Sequence, residues 1–286
     1  MNPYLRLIQE TVRVLDDAKV IPLGDIEPAP RPDIPDDAPT ALIFAPHPDD
    51  ECIVGGLPLR LLRELRMRVV NVAVTQGSRT ERRRERFEEL TAACRFLGFG
   101  LVETREGGLE NVNAHARAHE PREWGRAVER VREIIADTRP RALFFPHEDD
   151  GNSTHVGTHL LVADALARLG SGLSLHLFET EFWRPMADPN LMVESGARDV
   201  ADLVAALSFH VGEVRRNPYH LRLPAWMIDN VRRGGEIVGA QGGAPPDFTF
   251  ATLYRHTRWE NGARSAGPRG GVSVSATDGP AALLDD

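Results

Sequence analysis

The chain has 286 residues, of which 42% are hydrophobic, and a formal net charge of −8, which argues against general binding to nucleic acids or anionic membranes. Only two cysteines, Cys52 and Cys94, occur, so no disulfide framework is implied, and no apolar run approaches the ~20 residues of a transmembrane helix. The first 20 residues lack the apolar core of a signal peptide, and we therefore expect a soluble cytoplasmic protein.

The N-terminal region is predicted to be a separate element. Residues 4–17 show the apolar spacing of a helix, and the prolines between 22 and 39 then indicate a stiff linker. We interpret residues 1–40 as a helical arm with a Pro-rich linker, which forms an arm or lid packed on the main body.

Short β-rich runs alternate with amphipathic stretches from residue 41 onward. The predicted strands are 41–45, 69–75, 101–104, 142–145 and 173–178, and the predicted helices between them are 54–66, 80–97, 122–137 and 156–169. This alternation predicts an α/β fold with a mostly parallel sheet and helices on both faces. Functional sites in such sheets gather beyond the carboxyl ends of the strands.

The later part of the chain is less regular. Residues 198–240 are mostly helical by pattern, and 244–256 look like a late strand. The catalytic domain is therefore predicted to span 41–260. Residues 261–286 are small and glycine-rich, and we predict a disordered tail there.

A polar loop, PHPDDE at 46–51, follows the first strand of the main domain. His47 and Asp50 stand three residues apart, which lets an imidazole nitrogen and a carboxylate oxygen meet one cation. Zinc accepts such ligands, and a catalytic zinc needs only three from the protein. Either Asp49 or Asp50 ligates, and the other is left as a general base toward water. The alternative is that these acids only cap the next helix.

A second polar loop lies in FFPHEDDGNSTHVGTH at 144–159, again between a predicted strand and a helix. His155, near the helix start, is the natural third ligand. His159 follows four residues later, but Val156 stands where the zincin motif HExxH has its glutamate, so a zincin protease is disfavoured. The alternative for His147 or His159 is a histidine that satisfies only a loop hydrogen bond.

Three segments in this order resemble the PIG-L/LmbE-like zinc-dependent de-N-acetylase family. APHPDDE at 45–51 matches the family's opening motif in full, and RFEELTAACRFLG at 86–98 is similar to its R-x-x-E-L-x-A-A-x-x-x-L-G stretch. NSTHVGTH at 152–159 matches the later HPDHxxT-type motif at His155 and Thr158. The resemblance covers about 40–170.

The resemblance implies a Rossmann-like three-layer α/β/α fold and hydrolysis of N-acetyl groups on amino sugars. It puts the zinc ligands on His47, Asp50 and His155, the general base on Asp49 and a substrate-binding arginine on Arg86. Iron(II) or cobalt would suit the same ligands as zinc. Members of the family also form homo-oligomers, and the resemblance allows one here.

One position departs from the family pattern. Asn152 stands where relatives carry the first histidine of HPDH, thought to stabilise the oxyanion. An asparagine donates a neutral hydrogen bond but carries no charge. Candidate donors are therefore Asn152 itself, His147, His159 and His256, with His256 ranked first by resemblance. Glu110 is the acid that fits the family's sugar-binding position after the third strand.

Other patterns favour structural interpretations. The arginines between 79 and 86 alternate with glutamates, which is typical of a salt-bridged surface helix. GFG at 98–100 lacks the third glycine of a dinucleotide fingerprint, so binding of NAD is disfavoured. Cys52 has no base paired with it by sequence, and we interpret it as a buried packing residue rather than a nucleophile. The large and basic residues of 217–235 fit either a pocket wall or an oligomer contact.

The sequence thus predicts a zinc-dependent hydrolase that removes the acetyl group from an N-acetylated amino sugar, GlcNAc-like, or from its conjugate. One alternative is a metal-dependent amidase that releases a larger acyl group from a sugar–thiol or antibiotic conjugate. Another is a sugar- or metal-binding protein without catalysis, suggested by Asn152.

Overall fold

The computed structural model describes residues 2–238, 244–265 and 270–285. The helices in these ranges are α1 (Leu5–Ala18), α2 (Asp50–Ile53), α3 (Gly56–Leu65), α4 (Arg83–Leu97), α5 (Ala114–His119), α6 (Pro121–Thr138), α7 (Ser153–Leu169), α8 (Ala197–Ser208), α9 (Val211–Arg216) and α10 (Leu223–Ile237). The strands are β1 (Thr40–Ala45), β2 (Arg68–Ala73), β3 (Gly100–Glu103), β4 (Ala142–Pro146), β5 (Leu175–Thr180), β6 (Leu191–Glu194), β7 (Ala251–Glu260), β8 (Ala263–Ser265) and β9 (Val272–Val274). None of these helices is long and apolar enough to cross a lipid bilayer.

The strands form one mixed sheet in the order β3-β2-β1-β4-β5-β7-β6-β9, with β8 paired to β7. The first five strands of that order are parallel to one another. They correspond to the five strands predicted from the sequence, and the α/β fold with a mostly parallel sheet is confirmed.

Strand β1 shows why helices cover both faces of the sheet. All six of its residues are buried. Ala41, Ile43 and Ala45 point into a core shared with α3, α4 and α8, whereas Leu42 and Phe44 point into a second core shared with α6 and α7. A strand that is apolar on both of its faces needs a helical layer on each side of the sheet.

The C-terminal part of the sheet differs from the prediction. β7 runs antiparallel between β5 and β6, and the short β6 was not predicted. The predicted disordered tail at 261–286 is wrong for the described residues. There β9 pairs in parallel with β6, and Leu283 and Leu284 are buried in the first core.

A buried arginine explains how so glycine-rich a tail is held. Arg60 of α3 is 1% exposed. Its guanidinium donates to the backbone oxygens of Glu194, Ser275 and Asp278 at 3.1, 3.0 and 2.6 Å, and its Nε donates to Glu64 at 2.6 Å. The composition of the tail did not reveal this anchor, because Arg60 lies more than 200 residues before the tail in the sequence.

The N-terminal arm also differs from the prediction. The predicted helix forms as α1, but none of its residues is buried. Leu5, Leu7, Ile8, Val12 and Val14 all expose more than half of their surface. The helix is therefore not packed on the main body. Further along the chain, the backbone N–H of Gly24 donates to Ser208 Oγ of the main body at 3.1 Å.

Replacing Arg60 by Met should lower the free energy of unfolding by about 2–4 kcal/mol, because several carbonyl groups lose a charged donor. Urea denaturation followed by circular dichroism measures the change. The control is Arg84→Met, since the Arg84 side chain is 93% exposed and pairs only with Glu88, and its expected change is below about 0.5 kcal/mol. Equal stabilities of the two variants would contradict the anchoring role of Arg60.

Candidate metal centre

The loop after β1 brings two of the predicted ligands together. The backbone N–H of His47 donates to Asp50 Oδ2 at 2.9 Å, which closes the loop before α2 begins. The same carboxylate oxygen lies 3.4 Å from His47 Nδ1. Asp50 is only 4% exposed, so its charge is taken out of water and depends on these neighbours.

Helix α7 brings the third predicted ligand to the same point. β4 lies beside β1 in the sheet, so α7 begins next to the loop 46–50. His155 is fully buried, and its Nε2 lies 3.1 Å from His47 Nδ1 and 3.2 Å from Asp50 Oδ2. The structure thus brings His47, Asp50 and His155 together.

The spacing of these three atoms fits a small divalent cation. Ligand atoms at ~2.0–2.1 Å from a tetrahedral zinc stand ~3.3 Å from one another, close to the 3.1, 3.2 and 3.4 Å found here. Two imidazole nitrogens and a carboxylate oxygen are also a donor set that zinc, iron(II) and cobalt accept. The residues present therefore fit a bound metal.

The charges around this point are strongly coupled. Burial acts to raise the pKa of Asp50, but His155 and His47 outweigh it and lower that pKa below its ordinary range. Burial likewise acts to lower the pKa of His155, but Asp50 outweighs it and raises the pKa. An anionic Asp50 between two histidines is a site prepared for positive charge.

Asp150 supports His155 from behind. Its Oδ1 lies 3.5 Å from His155 Nδ1 and accepts from the backbone N–H of Asn152, while Oδ2 accepts from that of Trp183. A carboxylate behind a ligating histidine orients the ring and increases its basicity. Asp150 was not predicted from the sequence, although an acid soon after β4 repeats the arrangement after β1.

Asp49 adopts an unusual backbone conformation beside the three ligand atoms. Its φ of 114° lies in the left-handed region, which residues other than glycine seldom adopt. Tyr219 donates its hydroxyl to Asp49 Oδ2 at 2.6 Å, and Arg86 Nη2 lies 3.7 Å from the same oxygen. Burial first, and then the charge of Asp50, raise the pKa of Asp49 to about 6. Strained backbone of this kind is concentrated at functional sites.

Three residues lie together beneath Asp49. Glu51 accepts from the backbone N–H of Asp49 at 2.9 Å, from His210 Nε2 at 2.7 Å and from Cys52 Sγ at 3.1 Å. Burial acts to lower the pKa of His210, but the nearby Glu51 outweighs it and raises the pKa. His210 carried no local signal in the sequence, because it comes from the connection between α8 and α9.

A cavity of about 930 Å³ lies beside Asp49 and the predicted ligands. His47, Asp49, Asp50 and Asn152 line it, together with Trp183 and Trp226. Residues from 217–226 form one wall, so of the two interpretations of 217–235 the pocket wall is the one seen. The signal was already present in the unusual share of large side chains there.

The two predicted sugar-binding residues lie at this cavity in different settings. Arg86 donates to the backbone oxygen of Pro48 at 2.8 Å and so braces the loop that carries His47. Gly77 makes room for it, since an added Cβ would lie 2.2 Å from Arg86 Nη1. Glu110 is half-exposed at the rim and pairs with Arg83 at 2.6 Å.

Of the four candidate oxyanion donors, the structure places one at the cavity and three away from it. Asn152 lines the cavity, and its Oδ1 caps α7 by accepting from the backbone N–H of Thr154 at 2.8 Å. His147, His159 and His256 are buried and do not line the cavity. Their ring nitrogens lie near Arg184 O, Pro146 O and His176 Nδ1 respectively. The structure therefore does not bring His256 to the site, because its place on β7 is opposite Phe178 rather than at the strand ends.

Residues 42–166 match the family model described as PIG-L, GlcNAc-PI de-N-acetylase, which confirms the resemblance seen in the sequence. No curated protein matches the chain significantly.

Several solved structures share the fold. The conserved protein TT1542 from Thermus thermophilus is 20% identical, with a TM-score of 0.59 over 82% of this chain and 96% of its own. N,N'-diacetylchitobiose deacetylase from Pyrococcus horikoshii is 16% identical, with a TM-score of 0.55 over 79% and 85%. GalB, the 4-carboxy-2-hydroxymuconate hydratase from Pseudomonas putida, is 17% identical, with a TM-score of 0.53 over 76% and 95%. At such identities these neighbours show the fold alone.

Replacing His155 by Ala should weaken zinc binding by at least the ~10–100-fold known for residues that only support a ligand, because one of three converging donors is lost. Competition titration against a chromogenic chelator measures the affinity. The exposed His119 on α5 offers the matched control, and His119→Ala should bind zinc as the unaltered protein does. Equal affinities of the two variants would contradict a metal at this point.

Proposed function

We propose that this chain, which carries a PIG-L family domain over residues 42–166, is a metal-dependent hydrolase that removes the acetyl group from an N-acetylated amino sugar or its conjugate. The family match supports a hydrolase of amide bonds. The description of the family model, GlcNAc-PI de-N-acetylase, also favours an acetylated amino sugar as substrate.

One observation carries the proposal. The ligand atoms of His47, Asp50 and His155 converge within 3.4 Å of one another at the floor of a cavity, and the carboxylate of Asp49 lies beside them. The shared fold does not by itself decide the reaction, since a hydratase has it too. It is the combination of three candidate metal ligands with an adjacent carboxylate outside that ligand set that is suited to hydrolysis.

The roles of the residues follow from this arrangement. His47, Asp50 and His155 would hold the metal, for which we propose zinc. When bound, a divalent metal polarises an amide carbonyl and makes water more acidic. Asp49 takes a proton from the attacking water, whose oxygen bonds to the acyl carbon. As the C–N bond breaks, Asp49 returns the proton to the leaving amine, and the products are acetate and a free amine.

A donor is needed for the negative charge on the acyl oxygen. We assign this to Asn152, because it lines the cavity and its Oδ1 is used to cap α7, while its amide N–H groups make no hydrogen bond among the described residues. A neutral amide of this kind supplies oxyanion stabilisation in other hydrolases, where its loss costs ~2.7–4 kcal/mol. Arg86 and Glu110, which both line the cavity, are proposed to contact the sugar.

The size of the cavity favours a substrate larger than a single amino sugar. A volume of about 930 Å³ lies at the upper end of the range for small-molecule sites. This supports an acetylated sugar conjugate, and it also keeps the second candidate, an amidase that releases a larger acyl group. Assaying acetate against longer carboxylic acids as products separates the two.

A binding protein without catalysis would need the metal triad but not Asp49. The position of Asp49, with its φ of 114° and its hydrogen bond to Tyr219, argues for catalysis, since a strained conformation persists only where the surroundings enforce it. Zinc analysis combined with a screen for amine release over N-acetylated sugars distinguishes a binder from an enzyme.

Replacing Asp49 by Asn should leave zinc content nearly unchanged and lower kcat by ~10²–10⁴-fold, the usual contribution of a general base. Acetate release from N-acetylated sugars gives kcat, and elemental analysis gives zinc content. Asp149→Asn is the control, because Asp149 is an exposed acid in the loop after β4. Near-normal turnover by Asp49→Asn would remove the base from the proposal.

Removal of the metal by a chelator should abolish turnover, and zinc should restore it. Zinc at 100 times its dissociation constant should also stabilise the metal-free protein by ~2.7 kcal/mol through mass action. Thermal unfolding with zinc, iron(II) or cobalt measures this second effect without any substrate. A melting temperature that none of the three metals raises would contradict the metal site itself.

A further inference from the structure

A buried pair of side chains from distant parts of the chain lies directly under the proposed base. Glu51 and His210 are 1% and 0% exposed, and His210 Nε2 lies 2.7 Å from Glu51 Oε1. The other carboxylate oxygen, Glu51 Oε2, accepts the backbone N–H of Asp49 at 2.9 Å. A continuous hydrogen-bonded connection therefore runs from His210 to the backbone of Asp49.

We infer that Glu51 and His210 are positioning residues that hold Asp49 in its left-handed conformation and so direct its carboxylate into the cavity. The inference rests on the proposed function of Asp49 as the base. It assigns to His210, a residue outside the three family motifs, a role in the reaction that no local sequence pattern announced.

The backbone conformation is the first argument. Asp49 has φ 114° and ψ −28°, which a side chain with a Cβ adopts only when its surroundings compensate the strain. The N–H of Asp49 is bound by Glu51 alone among the described hydrogen bonds. The oxygen of the same peptide group, Pro48 O, accepts from Arg86 Nη2 at 2.8 Å. Loss of the Glu51 acceptor would therefore leave this peptide group held on its oxygen side alone.

The second argument is that the segment after α8 supports both the backbone N–H and the carboxylate of Asp49. His210, between α8 and α9, holds Glu51 and through it the backbone of Asp49. Tyr219, in the 3₁₀ turn Tyr219–Arg222, donates to the Asp49 carboxylate at 2.6 Å. Backbone and carboxylate are thus fixed by one stretch of chain, which sets the direction of the side chain between them.

A second metal ion is the competing explanation for this cluster. Ligand atoms of Glu51, Cys52 and His210 lie within 4.8 Å of one another. However, the histidine nitrogen and the cysteine sulfur both contact the single oxygen Glu51 Oε1, at 2.7 and 3.1 Å. These are hydrogen-bond distances, and three residues at 0–1% exposure leave an ion no route from solvent. Positioning of Asp49 accounts for the contacts better.

The test compares two substitutions of His210 in the zinc-loaded full chain. His210→Leu removes the donor, whereas His210→Gln keeps an N–H near the place of Nε2. We expect His210→Leu to lower kcat on N-acetylated sugars by ~10²-fold, the effect of a displacement of about 1 Å, with KM and zinc content unchanged. His210→Gln should stay within about fivefold of the unaltered protein.

His176→Leu is the matched control, since His176 is also buried but its Nδ1 faces His256 rather than the cavity. It should keep kcat even if it lowers stability. If His210→Leu fails to fold, Glu51→Gln replaces it. His210 and the Asp49 N–H contact different oxygens of Glu51, and an amide keeps an acceptor at only one of these two positions, so the same loss of kcat is expected.

Crystal structures of the variants make the test independent of turnover. In His210→Leu or Glu51→Gln, Asp49 should leave the left-handed region and lose its contact with Tyr219. Unchanged φ at Asp49, or unchanged kcat, would overturn the inference. So would a second equivalent of zinc that is present in the unaltered protein and lost in His210→Leu. Absence of hydrolysis in the unaltered protein would instead refute the proposed function, while the φ of Asp49 would still decide the positioning role.

Discussion

The parallel pairing of β1 with β4 is the constraint on which the candidate site depends. Ala41 to Ile43 lie opposite Ala142 to Phe144, so the two strands run in the same direction and end at the same edge of the sheet. The loop with His47 and Asp50 follows one strand, and the helix with His155 follows the other. Residues 108 positions apart in the sequence therefore meet at 3.1 Å.

The buried charge of Asp50 then determines what the site accepts. A carboxylate at 4% exposure costs free energy unless positive charge or hydrogen-bond donors compensate it. Two histidines partly do so, and the ring of one is itself supported by Asp150. The arrangement favours a cation at the common point of the three ligand atoms, and the same apolar surroundings that raise the cost of Asp50 also raise the pKa of Asp49.

The segment from α8 to α10 gives the site its individual character. It supplies His210 beneath Asp49, Tyr219 against the Asp49 carboxylate and Trp226 in the cavity wall. None of these residues lies within the part of the chain that matches the family, which ends at residue 166. The family match therefore covers the three candidate ligands and much of the cavity lining, while His210, Tyr219 and Trp226 come from sequence outside it.

The sequence by itself predicted the five parallel strands, because strand alternation is a local pattern. Its resemblance to the family in APHPDDE and NSTHVGTH predicted the three candidate ligands that the structure brings together. It did not determine the C-terminal strands, because three-residue β9 is held by Arg60 and its pairing with β6 rather than by its own propensity. Nor could it place His256, which the family resemblance ranked first as candidate donor but which β7 holds against Phe178. Only the tertiary structure decided that Glu51 meets His210 and that Asp49 takes φ 114°, since each depends on contacts between segments far apart in the chain.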